Sequence, residues 1–465
     1  MEKTYLFYDI ETTGLNKAFD QVLQFAAIRT DLNLNEIERH EILLRLLPDV
    51  VPSPLAILTH QICVTETING SAEVDAITKI HQLFNTPGTI SLGYNTLGFD
   101  DEVLRFSFYR NLLPPYTHQY ANQCGRLDIY PITALYFLYK NDLLQWPKVD
   151  NKFTLKLERL SEANQLAVGA AHNAMVDVEA TLALARKFQA DPKMWQYAVE
   201  FFDKNRATSR FQKLSSAFVC KQQNFREGLL IDPSMGSERA YQVPVLALGG
   251  HNHYKNKTLW LRLDNEKLSQ TTAQTIAENA WVYALKSGEA NFILPLTERY
   301  AQQLSVERQQ LIKQNKAWLL SNPDLFFQII NYHAEYTYPK IPELDIDAAL
   351  YQNGFMSDQD QRLCAGFHAA SWAEKASYIE NFNPALRTQA IRLIGRNYPQ
   401  YLPEKYAKEF ADFINKAESI DYRGNKKLTA NAALAEIAEL KANKNLNEKQ
   451  INLLDKLEQY LRNRQ

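Results

Sequence analysis

Apolar residues along this chain change their spacing twice, and each change marks a change of architecture. Tyr5-Leu6-Phe7-Tyr8 is an unbroken aromatic and aliphatic run, which predicts a buried β-strand. Val22 to Ile28 predicts a second strand and Glu41 to Leu47 a third, whereas Ala72 to Phe84 has apolar residues at helical intervals. Thr89 to Asn95 predicts a short strand and loop, followed by a helix starting at Asp100 or Asp101. Strands alternating with helices over about the first 190 residues predict an α/β layer fold.

Downstream the texture shifts to short strands, Gln242 to Leu248, Thr258 to Leu263, Ala280 to Leu285 and Ala290 to Leu296, separated by Gly, Asn and Lys turns. That pattern predicts a small β-barrel or sandwich closed by a helical stretch from Thr297 to Ala334. Proline-punctuated Tyr338-Pro339-Lys340-Ile341-Pro342 reads as a linker, and Ala348 to Gln465 is helical in spacing almost throughout. Three domains are expected, over residues 1–195, 196–342 and 343–465.

Composition narrows the class. The chain has 465 residues, 46% of them hydrophobic, enough for several well-formed cores. With 51 Lys+Arg against 53 Asp+Glu, any affinity for nucleic acid must come from local basic patches. Cys63, Cys124, Cys220 and Cys364 lie far apart without a C-x-x-C pair, which argues against a zinc site or disulfide framework and fits a reducing cytoplasm. Acids at positions 9 and 11 interrupt any signal-peptide core, and no apolar run reaches membrane-spanning length.

The first strand ends in two carboxylates, Asp9 and Glu11, which share one face because side chains alternate. An isolated Asp-x-Glu is more often plain surface charge. Here, however, Thr12-Thr13-Gly14-Leu15 follows as a tight turn at a strand end, where α/β sheets bind ligands, and a hard cation such as Mg²⁺ is the natural compensating charge. Gly93 to Glu102 offers a third acid at a loop-to-helix junction, with a helix cap as the equal alternative; spacing does not separate Asp100 from Asp101. From Ala171 a further helix begins, with His172 and Asp177 five residues apart. Arg105 and Arg110 are candidate phosphate contacts, with a solvated helix face as the preferred reading, and Arg423, Lys426 and Lys427 read as a solvated basic loop.

Asp9-x-Glu11, Asn95-x-x-x-Phe99-Asp100 and His172-x-x-x-x-Asp177, in that order, resemble the histidine subclass of the DEDD exonuclease superfamily, which has an RNase-H-like fold. The tyrosine subclass would carry Tyr where Asn173 stands. Gln24 to Asp31, Leu92 to Asn95 with Phe99 to Val103, Phe108 to Asn111, and Leu350-Tyr351-x-x-Gly354-Phe355-x-Ser357-Asp358-x-Asp360 resemble the bacterial exodeoxyribonuclease I family. The resemblance implies an RNase-H-like exonuclease domain, an SH3-like β-barrel domain and a helical C-terminal domain.

It further implies 3′-to-5′ hydrolysis of single-stranded DNA to 5′-mononucleotides, in repair and recombination. Asp9, Glu11, Asp100 and Asp177 would hold two Mg²⁺ ions roughly 3.5–4 Å apart, with Mn²⁺ able to substitute, and His172 would be the general base. With a reference pKa of about 6.5 for that histidine, activity is expected to rise with pH through that region. Glu11, Thr13, Leu15, Asn95 and Phe99 are the expected substrate contacts, Leu15 having a place in the core as its alternative. Implied partners are a free 3′ DNA end and the acidic C-terminal tail of single-stranded-DNA-binding protein, for a monomeric, cytoplasmic bacterial enzyme acting at the nucleoid. A proofreading or RNA-trimming exonuclease of the same superfamily is the alternative, and a catalytically inactive nucleic-acid-binding relative a third.

Overall fold

The apolar run at residues 5–8 forms the inner part of strand β1 (Thr4–Thr12), which is antiparallel to β2 (Val22–Thr30) and parallel to β4 (Thr89–Leu92). The computed structural model describes residues 2–463 except 170, 171, 287, 290, 291, 417 and 444. Strand order in this sheet is β3-β2-β1-β4-β5, with β3 at Glu36–Leu43 and the two-residue β5 at Gly125–Arg126. Every residue of β2 is buried, as expected for an inner strand covered on both faces.

The third strand lies upstream of its expected place. Its register runs from Glu36 opposite Thr30 to Leu43 opposite Gln24, and beyond it the Leu44 amide donates to the Leu23 carbonyl at 2.8 Å and Leu44 forms an isolated bridge to Ser71. As an edge strand, β3 is rich in charge, at Glu36, Glu38, Arg39 and Glu41, so its first five residues carry little apolar signal, and the apolar run over 41–47 overlaps it only at residues 41–43. Helices Glu73–Asn85 and Asp100–Arg110 cover the sheet through Ile77, Ile80 and Phe84 and through Val103, Leu104 and Phe108, which pack with Leu6, Tyr8 and Phe25. Burying each such side chain is worth about 1.5–3 kcal/mol.

The chain packs as two compact units. The first contains Met1–Gly125, Ala167–Leu182 and Lys340–Gln465; the second contains Arg126–Leu166 and Ala183–Pro339. In the first unit the C-terminal helices share cores with the N-terminal region: Val74 and Leu112 with Phe367, Ile391 and Ile394, and Ile57 and Val64 with Leu453, Leu454 and Leu457. A buried ion network also links them. Arg396 donates to Asp49 at 2.9 and 2.8 Å and to Asp347 at 2.7 Å, while Lys427 reaches Asp49 at 2.8 Å.

The second unit holds an antiparallel sheet ordered Val282–Lys286, Lys257–Arg262, Gln242–Gly250, Gln223–Ile231, Ile293–Pro295, with Ser216–Cys220 also paired to Gln223–Ile231. The last two expected strands are therefore shorter than their apolar runs; Ala290 and Asn291 lie outside the described residues. The helical stretch expected over 297–334 is two helices, Val306–Ser321 and Pro323–Glu335. Ser305 caps the first, and Pro323 ends its continuity at Asn322 because proline disfavours a helical residue before it. Among the described residues no helix is long and apolar enough to cross a membrane.

Candidate active site

β4 pairs with β1 only as far as Leu92 opposite Phe7, so the last residues of β1 run on past the end of their neighbour. Leu6, Tyr8 and Ile10 turn into the core, which sends Asp9 and Glu11 to the other face. At this point the chain leaves β4 through Gly93. A Cβ on Gly93 would stand 2.4 Å from the Tyr8 carbonyl oxygen and 2.3 Å from the Thr96 methyl, so a side chain would push the crossing away from β1. The loop then passes Asn95, which is exposed and left-handed at φ 64°, and Phe99, which packs against the sheet core, before Asp100 opens its helix.

Asp177 comes from the first turn of the helix Ala174–Gln189. Asn173 holds that turn: its side-chain oxygen accepts from the Met175 and Val176 amides at 3.2 and 3.3 Å, and its carbonyl accepts from Asp177 N–H at 3.0 Å. His172 stands just before this cap, exposed and with φ 62°. Ala171, expected to begin the helix, lies outside the described residues.

These elements bring the carboxylates together. Asp9, Glu11 and Asp177 each offer an oxygen, and the three atoms lie within 4.8 Å of one another. The Glu11 carboxyl is pushed up to about 8 by burial and then by the charges of Asp177 and Asp100. Asp9 is raised well above the ordinary carboxylate range by burial, then by Asp100, Glu11 and Asp177. Acids that repel one another in a buried setting form a donor set that a hard divalent cation satisfies. The residues present therefore fit such an ion.

The structure also separates Asp100 from Asp101. Asp100 acts on Asp9 and Glu11 through its charge, whereas Asp101 is fully buried on Arg105 at 3.1 Å and on His118 at 2.9 Å. Arg105 is thus neither a solvated residue nor a phosphate contact. Arg110 is also buried, donating to Glu73 at 2.5 Å and to the Asp20 carbonyl at 3.2 Å. Helical spacing does not reveal either burial: Arg105 lies against Asp101 and the Tyr116 ring, and Arg110 against Glu73 and the turn at Ala18 to Asp20. In the basic loop, Lys427 is drawn in by Asp49, and Lys426 pairs with Glu418 in solvent.

Of the expected substrate contacts, Leu15 is 85% exposed and has no place in the core. Thr13 is fully buried; its hydroxyl donates to Asp20 at 2.6 Å and accepts from the Gln21 amide at 2.9 Å, so its side chain builds the turn. Gly14 serves the same turn, since a Cβ there would meet the Asp20 carboxylate at 2.6 Å. A cavity of about 200 Å³ opens beside it, lined by Leu15, Phe19, Val50, Ser53 and Lys427 among others. Sequence reasoning missed His60, a buried imidazole pushed down to about 4 chiefly by burial and, further, by the nearby His172. A lone histidine in a short helix carries no signal for this position.

A family model described as "Exonuclease" matches residues 6–185, and one described as "Exonuclease I C-terminal domain" matches residues 344–464. Exodeoxyribonuclease I of Escherichia coli (strain K12) is 30% identical over 383 residues, which span 77% of this chain and 78% of that protein. The chain belongs to the exodeoxyribonuclease I family. Its relative from Haemophilus influenzae is 34% identical over 215 residues, 45% of each chain. Among solved structures, an Exonuclease I from Methylocaldum szegediense superposes with a TM-score of 0.84 at 27% identity, covering 99% of both chains. Escherichia coli Exonuclease I in complex with a dA16 oligonucleotide shares the fold, with a TM-score of 0.85 at 24% identity over 100% of both chains. As a member of the exodeoxyribonuclease I family, the chain is a hydrolase of the divalent-metal-dependent exonuclease class, and its strand-end carboxylate cluster suits that dependence.

Proposed function

We propose that this chain removes 5′-mononucleotides from the 3′ end of single-stranded DNA by hydrolysis. The observation that carries the reading is the convergence of Asp9, Glu11 and Asp177, with Asp100 in electrostatic reach, at the open end of β1. The four carboxylates would hold two divalent cations, Mg²⁺ with Mn²⁺ as a substitute. When bound, such ions supply charge neutralisation for the scissile phosphate and acidity for the attacking water.

The chain's own residues do the rest. His172, exposed at the mouth of the cluster's helix, takes the proton from the attacking water. Leu15 presents an apolar surface beside Glu11 for the terminal nucleotide, and Asn95 and Phe99 border the loop that delivers Asp100. Thr13 contributes by holding the turn under Leu15. The antiparallel sheet of the middle region is read as the SH3-like module implied by the sequence, supported by its six antiparallel strands. Single-stranded DNA as substrate is supported by the oligonucleotide bound to the Escherichia coli relative. The acidic tail of single-stranded-DNA-binding protein, a monomeric state and a cytoplasmic role in DNA repair complete the proposal.

The test is a timed digestion of 5′-labelled single-stranded DNA, matched RNA and duplex DNA in Mg²⁺, with Asp9→Ala alongside. The expected result is a ladder shortening from the 3′ end on single-stranded DNA alone, absent in the variant. Equal or preferred cleavage of RNA would place the chain in the RNA-trimming branch, and hydrolysis retained by Asp9→Ala would remove the carboxylate cluster from the chemistry.

A further inference from the structure

Three consecutive acids open the helix Asp100–Arg110, and each has a different environment. Asp100 belongs to the carboxylate cluster and Asp101 to the buried pairs with Arg105 and His118. Glu102 is engaged elsewhere. One of its oxygens accepts from Lys17 Nζ at 2.5 Å, and the other accepts from the Tyr351 hydroxyl at 2.9 Å and the Tyr422 hydroxyl at 2.7 Å. Lys17 also donates to the Gly98 carbonyl at 2.7 Å.

These partners come from three separate stretches of the first unit. Lys17 lies in the turn that follows Glu11, Gly98 in the loop that delivers Asp100, and the two tyrosines in the C-terminal region. The Lys17–Glu102 pair is largely shielded from water, its side chains 17% and 13% exposed, while Tyr351 reaches it from the surface. One helical turn beyond Glu102, the fully buried Phe106 packs its ring 5.4 Å from that of Tyr351 and 5.2 Å from that of Tyr422. Charge-assisted hydrogen bonds of this kind are the strong ones, and a carboxylate in the first turn is further favoured by the helix dipole.

We propose that Glu102 is a positioning residue for the active site: with Lys17, Tyr351 and Tyr422 it ties the helix start bearing Asp100 to the turn following Glu11. The C-terminal region thereby helps set the geometry of the carboxylate cluster. The loop that delivers Asp100 is a turn with a left-handed residue at Asn95, closed by bonds from the Gly98 amide to the Asn95 carbonyl at 3.2 Å and from the Asp101 amide to the Thr96 carbonyl at 2.9 Å. The Lys17–Glu102 tie adds a side-chain link from this turn to the one after Glu11. The inference rests on the reading of Asp100 as a metal ligand.

The test compares full-length wild type with Glu102→Ala, Glu102→Gln and the double variant Tyr351→Phe/Tyr422→Phe. The double variant removes two hydroxyl donors while leaving both rings against Phe106, so it keeps the packing. Two readouts are taken: kcat and KM on single-stranded DNA in Mg²⁺, and Mn²⁺ affinity without DNA, by calorimetry. The expected result is a fall in kcat of about 10- to 100-fold in Glu102→Ala, since small misplacements at a distance cost that much. A smaller fall is expected in the other two variants, with KM little changed and Mn²⁺ binding weakened in the same order. Wild-type kcat and wild-type Mn²⁺ affinity in the double variant and Glu102→Gln would overturn the proposal, whatever Glu102→Ala does to folding. A raised KM at unchanged kcat would also overturn it, making Glu102 part of substrate binding. Should wild type hydrolyse no DNA, the functional reading falls, and the order of Mn²⁺ affinities still decides the positioning role.

Discussion

Asp101 and His118 face each other at 2.9 Å with both side chains buried, and this pair turns Asp101 away from the cluster that its neighbour Asp100 joins. Arg105, at 3.1 Å on the other carboxylate oxygen, completes the anchorage. Adjacent acids thus acquire different surroundings, one in buried ion pairs and the other within electrostatic reach of Asp9 and Glu11. Asp101→Asn is expected to lower the unfolding free energy by about 3–5 kcal/mol, the usual result of breaking a buried pair. Asp100→Asn is expected to abolish hydrolysis without loss of stability. Urea unfolding and activity, measured on both variants, check this; the reverse pattern would exchange the two roles.

Mutual repulsion among Asp9, Glu11, Asp100 and Asp177 gives a second expectation. In EDTA, Asp9→Asn removes one of the repelling charges and should melt at or above the wild-type temperature, while losing hydrolysis. Adding Mg²⁺ should raise the melting temperature of wild type more than that of the variant, because an ion that binds only the folded state stabilises it. Scanning fluorimetry with and without Mg²⁺ measures both. A variant that melts below wild type in EDTA would make Asp9 a structural residue.

Leu15 projects into solvent from the turn that follows Glu11, so truncating it removes a contact surface and no core. Leu15→Ala should leave stability within about 0.5 kcal/mol of wild type, as exposed substitutions do. KM for a short single strand should rise while Mn²⁺ affinity stays the same. Steady-state kinetics on a short oligonucleotide decide the point, and an unchanged KM would rule Leu15 out.

His172 stands outside the carboxylate group, and its loss should spare the ions. His172→Ala is expected to cost about 10²–10⁴-fold in kcat, the range for a general base, with Mn²⁺ affinity retained. Weakened Mn²⁺ binding instead would make His172 a ligand. Isothermal titration beside kinetics separates the two.

The network around Arg396 predicts acid lability. Burial alone would raise Asp347, but Arg396 and Arg392 hold it down to about 2, and Arg396 with Lys427 keeps Asp49 well below the ordinary range. Carboxyls depressed in the folded state stabilise it fully above their unfolded values, near 3.9, and lose that contribution as pH falls through the folded ones. Arg396→Met should therefore cost about 3–5 kcal/mol at neutral pH, with the gap to wild type narrowing as pH falls from about 4 toward 2. Unfolding curves over that range test it; a gap independent of pH would mean that packing, and not charge, supplies the effect.

Part of the candidate site is legible in the sequence because it rests on residue types at local spacings. Asp9 and Glu11 share a face through strand alternation alone, whereas the cap at Asn173 that sets Asp177 in the first turn emerged only in the structure. What local pattern misjudged shares one cause. Arg105 and Arg110 looked solvated, and β3 was placed too far downstream, because burial of a helix face and the limits of an edge strand depend on what packs beside them. The choice between Asp100 and Asp101 was open for the same reason.

By itself, the sequence determined the α/β character of the first region, the acids at the strand end, the helical C-terminal region and the order of the acidic motifs. These depend on side-chain periodicity and on chemistry encoded within a few residues. Only the tertiary structure decided that Asp100 joins the cluster while Asp101 binds His118 and Arg105, that Leu15 stands in solvent, and that Tyr351 and Tyr422 reach Glu102 from some 250 and 320 residues away. Contacts between such distant residues are set by how whole elements pack, a property that no window of neighbouring residues contains.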